Sequence, residues 1–190
     1  MKNLNQYIKE KLVINKDYSD GKMYHPKSFD ELRKIIEDRY DKLGPGTKRN
    51  PIDFNDIDVS DIDSFCNSKD EGIFQGTKFK YIDISDWDVS NVTDMHYMFW
   101  DCLELESVGD ISNWDVSNVT NMYCMFQMCT KFNQDISNWD VSNVTDMGYM
   151  FCSCKSFNQD ISGWNVSNVT DMHCMFFGCA IKEKFKPKFK

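Results

Sequence analysis

Eight cysteines, three histidines and thirty acidic residues are the groups of this 190-residue chain able to do chemistry. Their spacing decides which chemistry is open to them. Cys102, Cys129, Cys154 and Cys179 recur at steps of 27, 25 and 25 residues. Tetrahedral zinc needs four ligands converging on a point, and a linear series does not converge. Free cysteine is among the most buried residue types, so these four are expected to be structural. Cys124, Cys152 and Cys174 fall outside that series, and Cys174 beside His173 lacks a second ligand pair at metal spacing. Of the three histidines, His25, His96 and His173, the last two share repeat position 14 but are expected three coils apart, far beyond hydrogen-bond reach. No Gly-x-Ser-x-Gly, P-loop or His-Glu-x-x-His motif occurs. An enzyme is not expected, and neither a cofactor nor a metal is expected.

The carboxylates are also periodic. Asp86, Asp88, Asn113, Asp115, Asn138, Asp140 and Asn165 alternate with Ser90, Ser117, Ser142 and Ser167. Stacked like charges repel, so backbone N–H groups, water or a cation must offset them. Calcium takes six to eight oxygens from such groups, yet no EF-hand or Gly-rich calcium repeat is present. Hydrogen-bonded turns are the expected answer.

The positions of all these residues follow from a repeat. Units begin at Asp83, Asp110, Asp135 and Asp160, and a weaker copy begins at Asp53. Position 2 is Ile, position 5 Trp, positions 7 and 10 Val, positions 13 and 16 Met, position 17 Phe and position 20 Cys in all four full units. The apolar residues fall mostly every three residues, with one two-residue step at Trp-x-Val. A coil that turns inward at each of them buries every copy on its own copy, about 4.8 Å away. Period and pattern predict an α+β repeat solenoid. In it, short strands at Trp-x-Val line one face and short helical or 3-10 segments over positions 12 to 20 line the other. Position 9 is Asn91, Asn118, Asn143 and Asn168, expected as buried turn residues bonded to neighbouring backbone.

The pattern W-D-V-S-N-V-T-x-M-x-x-M-F-x-x-C-x-x-F-N-x-D-I-S resembles the BspA-like leucine-rich repeats of bacterial surface proteins. The likeness covers about residues 53–181 and is carried by Met98 to Cys102, Met125 to Phe132, Met150 to Phe157 and Met175 to Cys179. It implies a curved, right-handed leucine-rich-repeat-like solenoid that binds proteins or surfaces, without catalysis.

The ends differ from the middle. Residues 1–50 are read as a helical leader and cap, 51–181 as the solenoid and 182–190 as a basic tail. Within the solenoid, residues 53–82 form the degenerate repeat. Ser28 and Glu31 form a capping box, and Phe29, Leu32, Ile35, Ile36, Tyr40 and Leu43 follow helical spacing up to Gly44-Pro45-Gly46. A helix over 28–43 is predicted to cover the first coil. Leu4, Tyr7, Ile8 and Leu12 form a second amphipathic stretch, read as another cap helix or as a docking or sorting segment. In the tail, Lys alternates with Phe185 and Phe189, which suits a soluble cap on the last coil.

Lys+Arg minus Asp+Glu is +4 over 1–50, −16 over 51–181 and +4 over 182–190. An acidic centre excludes nucleic acid as a partner, because phosphate contacts need Lys and Arg. No apolar run reaches the roughly 20 residues of a membrane helix. No secretory signal is legible, so a cytoplasmic location with reduced thiols is expected. The expected partner is another protein. Two surfaces could take it. One is the acidic strand face of Asp86, Asp88, Asn113, Asp115, Asn138, Asp140 and Asn165, read as concave. The other is the edge where copies differ, with His96, Tyr97, Trp100, Tyr123, Met128, Tyr149, His173 and Phe177. Positions that differ between copies are expected to be free of stacking demands, and Trp, Tyr and Met are enriched at interface cores. A solenoid end could also pair with a second copy. The alternative function is a structural component, adhesin-like or associated with a virion or cell surface.

Overall fold

Ser28 stands in extended conformation before a helix, and its Oγ accepts the Glu31 N–H at 3.3 Å. The helix, α1, spans Phe29–Leu43. The Glu31 carboxylate reaches one residue further back than a reciprocal box requires and accepts the Lys27 N–H at 2.7 Å. Gly44 ends the helix at φ +73°, where its N–H donates to the Tyr40 carbonyl. A computed structural model describes residues 23–189. The amphipathic stretch from Leu4 to Val13 lies outside the described residues.

Helix α1 buries Leu32, Ile35 and Ile36 in one core with Phe54, Ile57, Phe74 and Phe79. Tyr40 meets Phe79 edge to face at 5.0 Å. Two arginines fasten its polar side. Arg33 donates to the carbonyls of Gly72 and Ile73, at 2.6 and 3.0 Å. Arg39 forks onto the Asp56 carboxylate and lies 5.0 Å from the centre of the Phe54 ring. Because these contacts fall on residues 53–79, α1 is bound to the weak first copy of the repeat.

The solenoid of short strands and helical segments is overturned. Among the described residues there is one α-helix, with strands β1 (Ile52–Asp53) and β2 (Ile82–Asp83) paired in parallel and a 3-10 turn at Glu183–Phe185. Trp-x-Val is not a strand because turns close on both sides of it. The Trp87 N–H returns to the Ile84 carbonyl and the Val92 N–H to the Val89 carbonyl. Parallel pairing shrinks to single residues, as at Asp94 with Asn121, Asn121 with Asp146 and Asp146 with Asp171.

Nor is the Met-Phe segment helical. A helix turns every N–H onto its own segment. Here the N–H groups of Met98, Trp100 and Cys102 close turns on Met95, Tyr97 and Phe99. Those of Met95, Tyr97, Phe99 and Asp101 leave the segment and donate to the carbonyls of Asn121, Tyr123, Met125 and Gln127. The alternation needs left-handed backbone at every fourth residue. Tyr97 and Asp101 have φ of 58° and 60°, and Cys124, Met128, Tyr149, Ser153, Cys174 and Gly178 repeat it.

Side chains of successive copies meet in register. Phe74, Phe99, Phe126, Phe151 and Phe176 stack at 5.3, 5.4, 5.8 and 5.9 Å with nearly parallel planes. Indole N–H groups tie copies together as well. Trp87, Trp139 and Trp164 donate to the carbonyls of Phe54, Ile111 and Ile136. The Trp114 Nε1 is buried with no partner, and it follows the 27-residue unit. This difference sets a first prediction. Trp139→Phe should cost about 1 kcal/mol more than Trp114→Phe, because only the former breaks a hydrogen bond. Urea unfolding of the two variants checks it, and equal costs would contradict it.

Candidate functional site

The acidic face is a row of turns, since no strand carries it. Asp86, Asp88, Asn113, Asp115, Asn138, Asp140 and Asn165 are exposed. The side chains of Asp88, Asp115, Asp140 and Asn165 accept the N–H of Ser90, Ser117, Ser142 and Ser167 at 3.0–3.2 Å. The Asp86 N–H donates to the Asn55 side chain. Position 9 is exposed rather than buried, and it binds one copy back. Asn91, Asn118, Asn143 and Asn168 donate through Nδ2 to the carbonyls of Ser60, Ser90, Ser117 and Ser142. These polar constants therefore work as scaffold.

The turns have a pH consequence. The Ser side chains and N–H groups two residues on hold Asp110, Asp115, Asp135, Asp140 and Asp160 below the usual carboxylate range. Each folded pKa lies below the unfolded Asp value of about 3.9. The stabilisation is thus complete above about pH 4 and is lost as pH falls through the folded values. Burial pushes Asp146 the other way, so its contribution is present in acid and lost as pH rises. Thermal melting should show stability dropping below about pH 4. Asp115→Asn with Asp140→Asn should flatten that drop, because Asn165 already makes the same turn with an amide. An unchanged acid limb would contradict the assignment.

The variable edge contains a continuous row of rings. His96 meets Tyr97 at 5.3 Å, and Tyr97 meets Trp100 at 5.4 Å and Tyr123 at 5.5 Å. Tyr123 meets Tyr149 at 5.9 Å, and Tyr149 meets His173 at 5.4 Å. Apart from His173, which is exposed, these rings are half-buried. Met128 and Phe177 are exposed, Phe177 at 71%, and lie outside these ring contacts. The expectation that differing positions escape stacking demands is corrected here. They alternate in identity, yet their rings touch between copies and their backbone is left-handed at Tyr97 and Tyr149. Burial raises the Tyr97, Tyr123 and Tyr149 hydroxyls.

All eight cysteines are free thiols. Cys102, Cys129 and Cys154 donate through Sγ–H to the carbonyls of Phe74, Phe99 and Phe126 at 2.9–3.0 Å. Burial pushes the Cys129 and Cys154 thiols well up, as suits structural residues. Cys66 is different. Its Sγ, the Asp70 carboxylate and a ring nitrogen of His96 lie within 4.8 Å of one another. His96 Nε2 is 3.5 Å from Asp70, and His96 Nδ1 is 2.6 Å from Asp94. Burial, with Asp94 and Asp70 nearby, pushes the Cys66 thiol up to about 12. The sequence hid this group because Cys66 and Asp70 lie in the degenerate copy, where position counting fails. Its one signal was a cysteine and an aspartate four residues apart, one copy before a histidine.

Residues 68–188, more than half of the chain, match the family model described as Mycoplasma protein of unknown function, DUF285. The chain belongs to this family. No curated protein and no solved structure matches it. The DUF285 region contains the whole aromatic row, Asp70, Asp94 and His96, whereas α1 and Cys66 precede it. Among the described residues no helix is long and apolar enough to cross a membrane.

Proposed function

We propose that this DUF285 chain is a non-catalytic binding module that takes a protein partner along the row from Trp100 and His96 to His173. The observation that carries this reading is the row itself. Six rings from four successive copies touch in sequence along one edge, and none is fully buried. Rigid aromatic groups offer contact area at little entropic cost, which is why they dominate interface hot spots. Asp94, Asp146 and Asp171 lie two or three residues before the rings of their copies and pair from copy to copy, Asp94 and Asp146 through Asn121. They favour a partner that sets Lys or Arg beside its apolar contact. The resemblance to BspA-like repeats, which implies binding of proteins or surfaces, supports the same reading.

The test compares two triple variants in a pull-down from source-cell lysate. One carries Tyr97→Asn, Tyr123→Asn and Tyr149→Asn, since Asn tolerates left-handed backbone. The other carries Asp88→Asn, Asp115→Asn and Asp140→Asn. The partner should fall at least about tenfold with the first variant, the loss of roughly 1.4 kcal/mol or more expected for hot-spot rings. It should stay at wild-type level with the second. A partner retained equally by both folded variants would sink the aromatic row as the binding surface.

A further inference from the structure

We propose that Cys66, Asp70 and His96 form a Zn²⁺ site at the N-terminal end of the aromatic row. Three separate features place the ligands. First, the segment from Cys66 to Gly72 is a closed loop. Cys66 and Gly72 form an antiparallel bridge, and the Ile73 N–H donates to the Phe65 carbonyl at 2.9 Å. Inside it, Asn67 Oδ1 accepts the N–H groups of Lys69 and Glu71, and the Asp70 N–H returns to the Asn67 carbonyl. The left-handed Asp70, at φ 59°, is thereby held over Cys66.

Second, the next copy brings its histidine to the same place. Ser64 pairs with Asp94, and the Phe65 N–H donates to the Asp94 carbonyl at 3.0 Å. Residues 64–66 and 94–96 therefore run side by side. Third, the imidazole is oriented for a metal. An ionised Asp94 can only accept, so its 2.6 Å contact puts the proton on His96 Nδ1. In the neutral imidazole the Nε2 lone pair is then left on the side of Asp70, where a metal would take it. A carboxylate behind a ligating imidazole is the usual support of protein-bound zinc.

The chemistry selects the metal. One thiolate, one imidazole and one carboxylate suit Zn²⁺ better than calcium or magnesium, which want oxygen alone. Zinc ligands at tetrahedral angles lie about 3.3–3.8 Å apart. The 3.5 Å separation of Nε2 and the Asp70 oxygen already fits. The Cys66 Sγ, within 4.8 Å of both, has to close by about 1 Å at most, and the exposed Asp70 leaves the fourth position open to water. The carboxylates of Asp70, Asp94 and Glu71 surround the thiol with negative charge, which attracts a dication. On binding, the Cys66 S–H bond breaks, its proton leaves to solvent and the thiolate pair goes to zinc. An ion pair between His96 and the two aspartates would explain the imidazole, with the Cys66 Sγ–H donating to the Asn67 carbonyl at 3.5 Å; zinc would take the sulfur from that bond.

The experiment titrates the full reduced chain with Zn²⁺ against a chromophoric chelator, and with Co²⁺ followed by absorbance. One equivalent per chain and a thiolate-to-cobalt charge-transfer band are expected. Cys66→Ser should abolish the band. Asp70→Asn, exposed and harmless to the fold, should weaken Zn²⁺ binding at least tenfold. Asp94→Asn should weaken it about 10- to 100-fold through the imidazole. Cys174→Ser and His173→Gln should change nothing. No stoichiometric binding to the wild type would overturn the site. So would binding that Asp70→Asn and Cys66→Ser leave intact, or that Cys174→Ser removes.

Discussion

Gly72→Ala should destabilise the protein by about 4 kcal/mol or more, in the exceptional range for one substitution. A Cβ at Gly72 would stand 1.9 Å from the Tyr97 carbonyl oxygen and 2.9 Å from the Met98 nitrogen. Both neighbours are backbone, so no side-chain rotation relieves the overlap. Tyr97 cannot retreat cheaply. Its N–H donates to the Tyr123 carbonyl and its own carbonyl accepts the Trp100 N–H, both at 3.0 Å. Gly72 cannot retreat either, because Arg33 of α1 holds its carbonyl and the Gln75 side chain holds its N–H. The substitution should therefore loosen α1, the loop of Cys66 and the start of the row together. For a chain of this size the melting temperature should fall by roughly 8–16 °C. Gly163→Ala, with open space around its Cβ, is the control and should be nearly neutral. Gly72→Ala melting within a degree or two of that control would contradict the close approach.

Helix α1 was legible because every signal for it is local. Ser28 caps it, Leu32, Ile35 and Ile36 mark its buried side, and Gly44 stops it. The buried columns were legible for a different reason. A residue that stacks on its own copy must repeat, so Ile111, Ile136 and Ile161 or Val116, Val141 and Val166 announce their burial by recurrence. Recurrence weakens at the last copy. Met172 is 44% exposed and Val169 only half-buried, since residues 182–190 do not repeat the unit. There the tail takes over in part. The Ile161 N–H donates to the Phe185 carbonyl, and Phe185 and Phe189 pack on the core.

The backbone was not legible from the same letters. A three-residue apolar step suits a chain of turns as well as a helix, and the usual glycine signal for left-handed residues stands in one full copy only, at Gly178. Tyr97, Cys124, Met128, Tyr149 and Ser153 fill such positions with side chains instead. The strain is compensated where N–H groups that a helix would use internally reach the next copy. The group of Cys66, Asp70 and His96 was hidden by the reverse problem. It depends on how a degenerate copy packs on a regular one, and only coordinates supply that.

Phe126→Ala should cost about 3–5 kcal/mol, the range for emptying a fully buried aromatic site. Phe126 has no solvent exposure and contacts Phe99 at 5.4 Å, Phe132 at 4.2 Å, Phe151 at 5.8 Å and Trp139 at 6.3 Å. No neighbour can move into the gap without leaving its own stack, so the cavity stays open and the cost sits high in the range. Phe176→Ala is the informative comparison. Its ring stacks on a single ring, Phe151, has the Lys186 ammonium 5.4 Å from its centre and is partly exposed, so the same truncation should cost about 1–2 kcal/mol. Urea unfolding measures both. A large difference between chemically identical changes follows only if each ring is stabilised by the copies on either side of it. If Phe126→Ala and Phe176→Ala cost the same, packing between copies is not what holds the repeats together. The double variant Phe126→Ala with Phe151→Ala sharpens the point. Each ring is the other's neighbour, so their costs should depart from additivity by about 0.5 kcal/mol or more, whereas Phe126→Ala with Ile36→Val in α1 should be additive.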